Sequence, residues 1–302
     1  MFYIKDFQNY LFYKKYRKKK TINEYGYSLN KFKVLCIEKN ITKVNCITNQ
    51  IVQEFILSLK NKNNTERNQY LQISRLKHYL DFLKESGYIF SSFLEDYHFP
   101  KYLRKHHPVI SQKELEIILD SIKPKKVSCL KGKVIMEIMY SSALRPGEVA
   151  NLKISDIYFN RKQLLIRQSK KKKDRLIPIG RYALTLTRDY INTTRKKYLT
   201  ANSPDNIFLN IYNGKPHTTQ GIRFIIRSTL INNGFKPIRP YTLRASAATI
   251  LLLNGMNIRY ISELLGHSDL VTTKIYLQLD DKDLGKVFHK NHPRLSKIFK
   301  GV

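Results

Sequence analysis

Leu264-Leu265-Gly266-His267-Ser268-Asp269-Leu270-Val271-Thr272-Thr273-Lys274-Ile275-Tyr276 is the stretch on which the reading of this chain turns. Its opening closes a helix, since Ile258, Ile261, Leu264 and Leu265 recur at helical spacing. Gly266 stops that helix, because glycine enters the left-handed backbone region without a Cβ penalty. Ser268 then starts a short element that carries Tyr276, nine residues after His267. Taken alone, each residue has a plain explanation. A His after Gly is commonly a helix-end residue, and Tyr276 lies between Ile275 and Leu277 like an ordinary core aromatic. The chain has 20 Tyr, so residue type does not select one. What selects Tyr276 is the set of segments upstream of it.

Those segments match the needs of one reaction. Breaking a phosphodiester without metal or water requires a nucleophile, neutralisation of the nonbridging oxygens, and a proton for the leaving sugar oxygen. Guanidiniums suit the second task, because they bind phosphate oxygens bidentately and stay charged. A Lys suits the third. A Tyr serves as nucleophile, although a phenol ionises near pH 10 and needs help. The chain offers Ala143-Leu144-Arg145-Pro146-Gly147-Glu148-Val149, then Ser169-Lys170-Lys171-Lys172-Lys173-Asp174-Arg175-Leu176-Ile177-Pro178, then Pro240-Tyr241-Thr242-Leu243-Arg244-Ala245-Ser246-Ala247-Ala248-Thr249. Glu148 lies about one helical turn after Arg145, a spacing at which its carboxylate pairs with and orients a guanidinium.

Taken together, the four segments resemble the catalytic boxes of tyrosine recombinases, the phage-integrase and Xer-like group. The match spans about Ser111 to Leu279, and the helical part before it resembles the family's core-binding, SAM-like domain. The resemblance implies that Arg145 and Arg244 grip the scissile phosphate and that Lys170 is the acid for the departing 5′ oxygen. Lys171, Lys172 and Lys173 adjoin Lys170, and a shift of one residue changes that choice. His267 would hydrogen-bond a nonbridging oxygen or help move a proton, and Tyr276 would form a 3′-phosphotyrosine link. In one place the chain departs from the family. Tyr241 stands where the family usually has His, three residues before the second Arg, and Ala245 replaces a common His. A Tyr donates a hydrogen bond but is a poor base near neutral pH, so Tyr241 is expected to position rather than deprotonate.

The resemblance further implies a homotetramer on two double-stranded DNA sites, with strand exchange through a Holliday junction. Two alternatives stand beside it: a type IB topoisomerase-like enzyme that relaxes DNA, and a relative that binds DNA but has lost catalysis. No cofactor is expected. No GxxxxGK[ST] segment exists for ATP, and no carboxylate cluster suggests two-metal nuclease chemistry. Cys36, Cys46 and Cys129 are scattered, without the spacing of a zinc site.

Composition agrees with a polyanionic partner without proving one. The 302 residues hold 55 Lys plus Arg against 23 Asp plus Glu, a formal +32. Such an excess is costly in a compact fold unless a polyanion relieves it. High Lys, Asn and Ile with no Trp also follow from AT-rich coding, which inflates Lys by itself. No run approaches the roughly 18 apolar residues of a spanning helix. The first 16 residues carry Lys5, Asp6, Lys14 and Lys15 and do not read as a signal peptide. A cytoplasmic protein without membrane partners is expected.

The expected fold is mainly α with a small antiparallel sheet. Residues 1–99 read as a helical core-binding domain, with stripes Ile51, Val52, Phe55, Ile56, Leu59 and Leu71, Ile73, Leu76, Tyr79, Leu80, Leu83, the second closed by Gly87. Residues 100–108, bracketed by Pro100 and Pro108, read as a basic linker. Residues 109–302 read as the catalytic domain with a C-terminal tail. Ser111 and Glu114 have capping-box spacing at its first helix. Leu164-Leu165-Ile166 and Leu176-Ile177-Pro178-Ile179 form a hairpin with a basic tip, and Thr242 is expected to cap the helix that runs to Leu253. The tail, with Leu284, Val287 and Phe288, packs at home or, as the resemblance favours, on a neighbouring subunit.

Overall fold

A computed structural model of the chain describes residues 2–61, 64–99, 108–123, 127–167 and 174–266. The fold is mainly helical with one small antiparallel sheet, and it divides into two compact units, Met1–Lys105 and His106–Val302. Lys170, His267, Tyr276, most of the 100–108 segment and the tail lie outside the described residues.

The first unit is built from α1 (Ile4–Tyr13), α2 (Lys19–Glu38), α3 (Asn49–Asn61) and α4 (Glu66–Glu85). The apolar stripe of α3 is buried at Ile51, Val52, Phe55, Ile56 and Leu59. That of α4 is buried at Ile73, Leu76, Tyr79, Leu80 and Leu83. Each such side chain contributes on the order of 2 kcal/mol relative to exposure. Leu71 departs from the expected stripe: it is 38% exposed, on the flank of the face that the core covers. Thr65 caps α4 by accepting from the Asn68 N–H, and Gly87 follows its end at φ +73°, a backbone conformation that suits glycine.

The second unit opens with α5 (Gln112–Ser121), whose N-cap Ser111 accepts from the Glu114 N–H. Its centre is α6 (Val127–Ser141), buried at every position from Val134 to Met139. Around α6 pack α8 (Arg181–Asn192), α9 (Thr219–Asn232) and α10 (Pro240–Leu253). A Cβ at Gly132 would overlap the Thr229 side chain, so glycine lets α6 and α9 approach closely. Between α6 and α8 lie the short α7 (Pro146–Asn151) and a sheet of β1 (Ile157–Tyr158), β2 (Gln163–Ile166) and β3 (Arg175–Pro178), in that spatial order. The β2–β3 register pairs Leu164 with Ile177 and Ile166 with Arg175. Strand β1 is an addition to the expected hairpin. The helix to Leu253 also starts earlier than expected. Pro240, not Thr242, begins it, because proline at a first helical position lacks an N–H that would be orphaned there. The unit ends its described part with α11 (Ile258–Leu265), capped by Asn257 and closed by Gly266 at φ +59°. No helix among the described residues is long and apolar enough to cross a membrane.

Candidate active site

Three guanidiniums that are distant in sequence meet at the C-terminal end of α11. A helix end leaves its last carbonyls without intrahelical partners, and the dipole makes that end partly negative. Here the Leu264 carbonyl accepts from Arg175 Nε at 3.2 Å and the Leu265 carbonyl from Arg244 Nη2 at 2.6 Å. The Gly266 carbonyl accepts a long bond from Arg145 Nη2 at 3.5 Å. Gly266 has a second duty: a Cβ there would fall 2.8 Å from Arg175 Nη1. The left-handed cap and the room for a guanidinium thus require the same glycine.

Glu148 sits among the same three cations. Arg145 is the N-cap of α7, and its backbone N–H donates to Glu148 Oε2 at 2.8 Å, the reach-back half of a capping box. Glu148 Oε1 accepts from Arg145 Nη1 at 2.9 Å and from Arg175 Nη2 at 3.1 Å. Arg244 Nη1 stands 3.7 Å from Oε2. Burial alone would raise the Glu148 carboxyl. The Arg145 N–H and the charges of Arg175, Arg244 and Arg145 outweigh it and hold the group below its ordinary value. One carboxylate against three guanidiniums leaves the cluster strongly positive, which is the electrostatic demand of a phosphate site.

The three cations differ in access. Side-chain exposure is 31% for Arg145, 12% for Arg175 and 3% for Arg244. Arg244 is fixed from α10 by a further bond from Nη1 to the Ala143 carbonyl at 2.7 Å. Ala143 takes φ +48° to aim that carbonyl, a conformation that costs a non-glycine residue on the order of 1 kcal/mol. Tyr241, in the first turn of α10, is 36% exposed, with the Arg223 guanidinium 5.9 Å from its ring centre. The structure therefore brings Arg145, Glu148 and Arg244 together and places Tyr241 on the same helix as Arg244. Lys170, His267 and Tyr276 fall outside the described residues. Sequence reasoning missed Arg175, which the run of cations from Lys170 concealed.

A model of the phage integrase family matches residues 108–283, and a model of the phage integrase N-terminal SAM-like domain matches residues 4–87. The chain belongs to the phage integrase family. The described part of this integrase domain is the second unit, and it contains the whole arginine cluster. The integrase is 28% identical over 297 residues to tyrosine recombinase XerC of Halalkalibacterium halodurans, covering 97% of each chain. It is 32% identical over 247 residues to tyrosine recombinase XerD of Lacticaseibacillus casei, covering 81% of this chain and 83% of that one. Among solved structures it is similar in fold to the Tn1549 transposon integrase in complex with transposon right end DNA. There the TM-score is 0.73 at 16% identity, over 96% of this chain and 99% of that one. The enzyme is a tyrosine site-specific recombinase.

Proposed function

We propose that this recombinase cuts and rejoins double-stranded DNA through a 3′-phosphotyrosine link at Tyr276, without ATP or metal, and exchanges strands through a Holliday junction. The observation that carries this reading is the convergence of Arg145 and Arg244 on Glu148 and on the end of α11, whose cap Gly266 precedes His267 in sequence. Two guanidiniums fixed in advance stabilise the charge that builds on the nonbridging oxygens, and they need no reorganisation at the moment of attack. Arg145, the more exposed, meets the phosphate from the open side, and Arg244 is locked behind it. Glu148 holds Arg145 in place from a site that stays ionised. Lys170 protonates the leaving 5′ oxygen, His267 serves a nonbridging oxygen, and Tyr241 positions the phosphate. The bond energy kept in the phosphotyrosine link lets a 5′ hydroxyl of another strand reverse the step, which removes the need for ATP.

Residues 1–99 form the core-binding domain, 100–108 the basic linker and 109–302 the catalytic domain. The Tn1549 integrase structure holds DNA, and the formal +32 charge suits the same partner. Four copies act on two sites in the cytoplasm. The test is a nicked suicide substrate. Wild type should be trapped covalently, and Tyr276→Phe should bind the same DNA within about twofold yet form no adduct. An adduct with Tyr276→Phe would refute the nucleophile. A wild type that binds but never traps would instead favour the inactive relative that the Tyr241 departure suggests.

A further inference from the structure

We propose that Arg175, which lies outside the set of phosphate-gripping residues, is a positioning residue for that set, tying β3, Glu148 and the end of α11 into one rigid mount. The inference rests on the phosphate-binding reading of Arg145 and Arg244. Arg175 spans two anchors, with Nε on the Leu264 carbonyl at 3.2 Å and Nη2 on Glu148 Oε1 at 3.1 Å. It shares that oxygen with Arg145 Nη1, so two guanidiniums hold one carboxylate oxygen. Glu148 in turn bonds the Arg145 backbone and side chain. Removing Arg175 takes away one of the two side-chain donors on Oε1 and leaves the carboxylate, and with it Arg145, less firmly held.

The cost of keeping Arg175 there supports a functional reason. Its Nη1 is buried without a hydrogen-bond partner among the described residues, a state that proteins rarely tolerate outside functional or strained sites. Room for that nitrogen exists only because residue 266 has no Cβ. Apolar packing of β3 would need neither feature.

Charge and geometry separate in two variants. Among the described residues the groups facing Glu148 are Arg145 from the start of α7, Arg175 from β3 and Arg244 from α10, while α11 presents carbonyls. Arg175→Gln removes one of the three cations, so Glu148 protonates at higher pH. Single-turnover cleavage of the suicide substrate should fall roughly 10- to 100-fold, and its acid limb should move to higher pH. Arg175→Lys keeps the cation, but one ammonium cannot span both anchors. Its rate should fall on the order of 10-fold with the acid limb unmoved. DNA binding and the unfolding midpoint of Arg175→Lys should stay close to wild type. Wild-type rates in both variants would overturn the proposal. So would losses equal at every pH and matched by lost DNA binding, which indicate general damage. If Arg175→Gln does not fold, the Arg175→Lys rate decides. Arg145→Ala is the control: wild-type cleavage by that variant would sink the phosphate-binding reading itself, whatever Arg175 does.

Discussion

Replacing Glu148 with Gln should destabilise the free protein more than almost any other single change near its surface. The carboxylate is 13% exposed and accepts from Arg145 N at 2.8 Å, Arg145 Nη1 at 2.9 Å and Arg175 Nη2 at 3.1 Å. A glutamine keeps one oxygen. Its amide nitrogen must then face either the Arg145 N–H or two guanidiniums, and donor meets donor in both orientations. Three cations also lose their only shared counter-charge among the described residues. Breaking a buried pair costs roughly 3 to 5 kcal/mol. Arg145 is 31% exposed and the α11 carbonyls remain as acceptors, so the lower end applies. About 3 kcal/mol corresponds to about 6 to 12 °C for a domain of this size.

Calorimetry of the full chain without DNA measures it, following the transition of the integrase domain at neutral pH and in acid. The Glu148 carboxyl is held below its ordinary value in the fold. Its contribution is therefore complete above the unfolded value of about 4.3 and is lost as pH falls through the lower folded value. The gap between wild type and Glu148→Gln should stay constant down to about pH 5 and narrow only in stronger acid. A midpoint within about 2 °C of wild type at neutral pH, or a gap that widens on acidification, would refute the view that this carboxylate holds the cluster together.

Two further outcomes follow from the same unit. Gly266→Ala should lower stability by on the order of 1 to 2 kcal/mol, because φ is +59° and the new Cβ meets the Arg175 guanidinium. A denaturant titration should show Gly255→Ala, at φ +90°, losing a similar amount for backbone reasons, but only Gly266→Ala should also slow cleavage. Lys131 is buried on α6, donates to the Leu209 carbonyl at 2.8 Å, and is pushed down to about 8 by burial. Between that value and the unfolded value of about 10.4 the unfolded chain holds a proton that the fold does not, so wild-type stability should gain across this window. Lys131→Met should erase that gain and be about as stable as wild type near neutral pH, as urea unfolding at several pH values will show.

How much of this was legible in the sequence depends on the range of the interaction. The stripes of α3 and α4 were readable, because helical spacing and burial are local facts about one element. Leu71 was misplaced since a stripe does not reveal how widely its partner covers it. The start of α10 carried two local signals, a Thr that favours caps and a Pro that favours first positions. Proline prevailed although the N-cap, Arg239, makes no side-chain cap bond. Strand β1 has two residues, too few for alternation to show.

The site divides in the same way. Arg145 and Glu148 share one turn, and their pairing followed from spacing alone. The meeting of residues 145, 175 and 244 on one helix end is tertiary, and no local rule contains it. A trace of Arg175 was nevertheless present. In β3, Leu176 is exposed and Ile177 buried, so strand alternation puts Arg175 on the inward side with Ile177. A cation that alternation turns inward must find acceptors or leave its N–H groups unpaired. The chain supplies acceptors at a helix end where a glycine leaves room, and an inward Arg on a strand beside a glycine-capped helix is therefore the pattern to seek in related sequences.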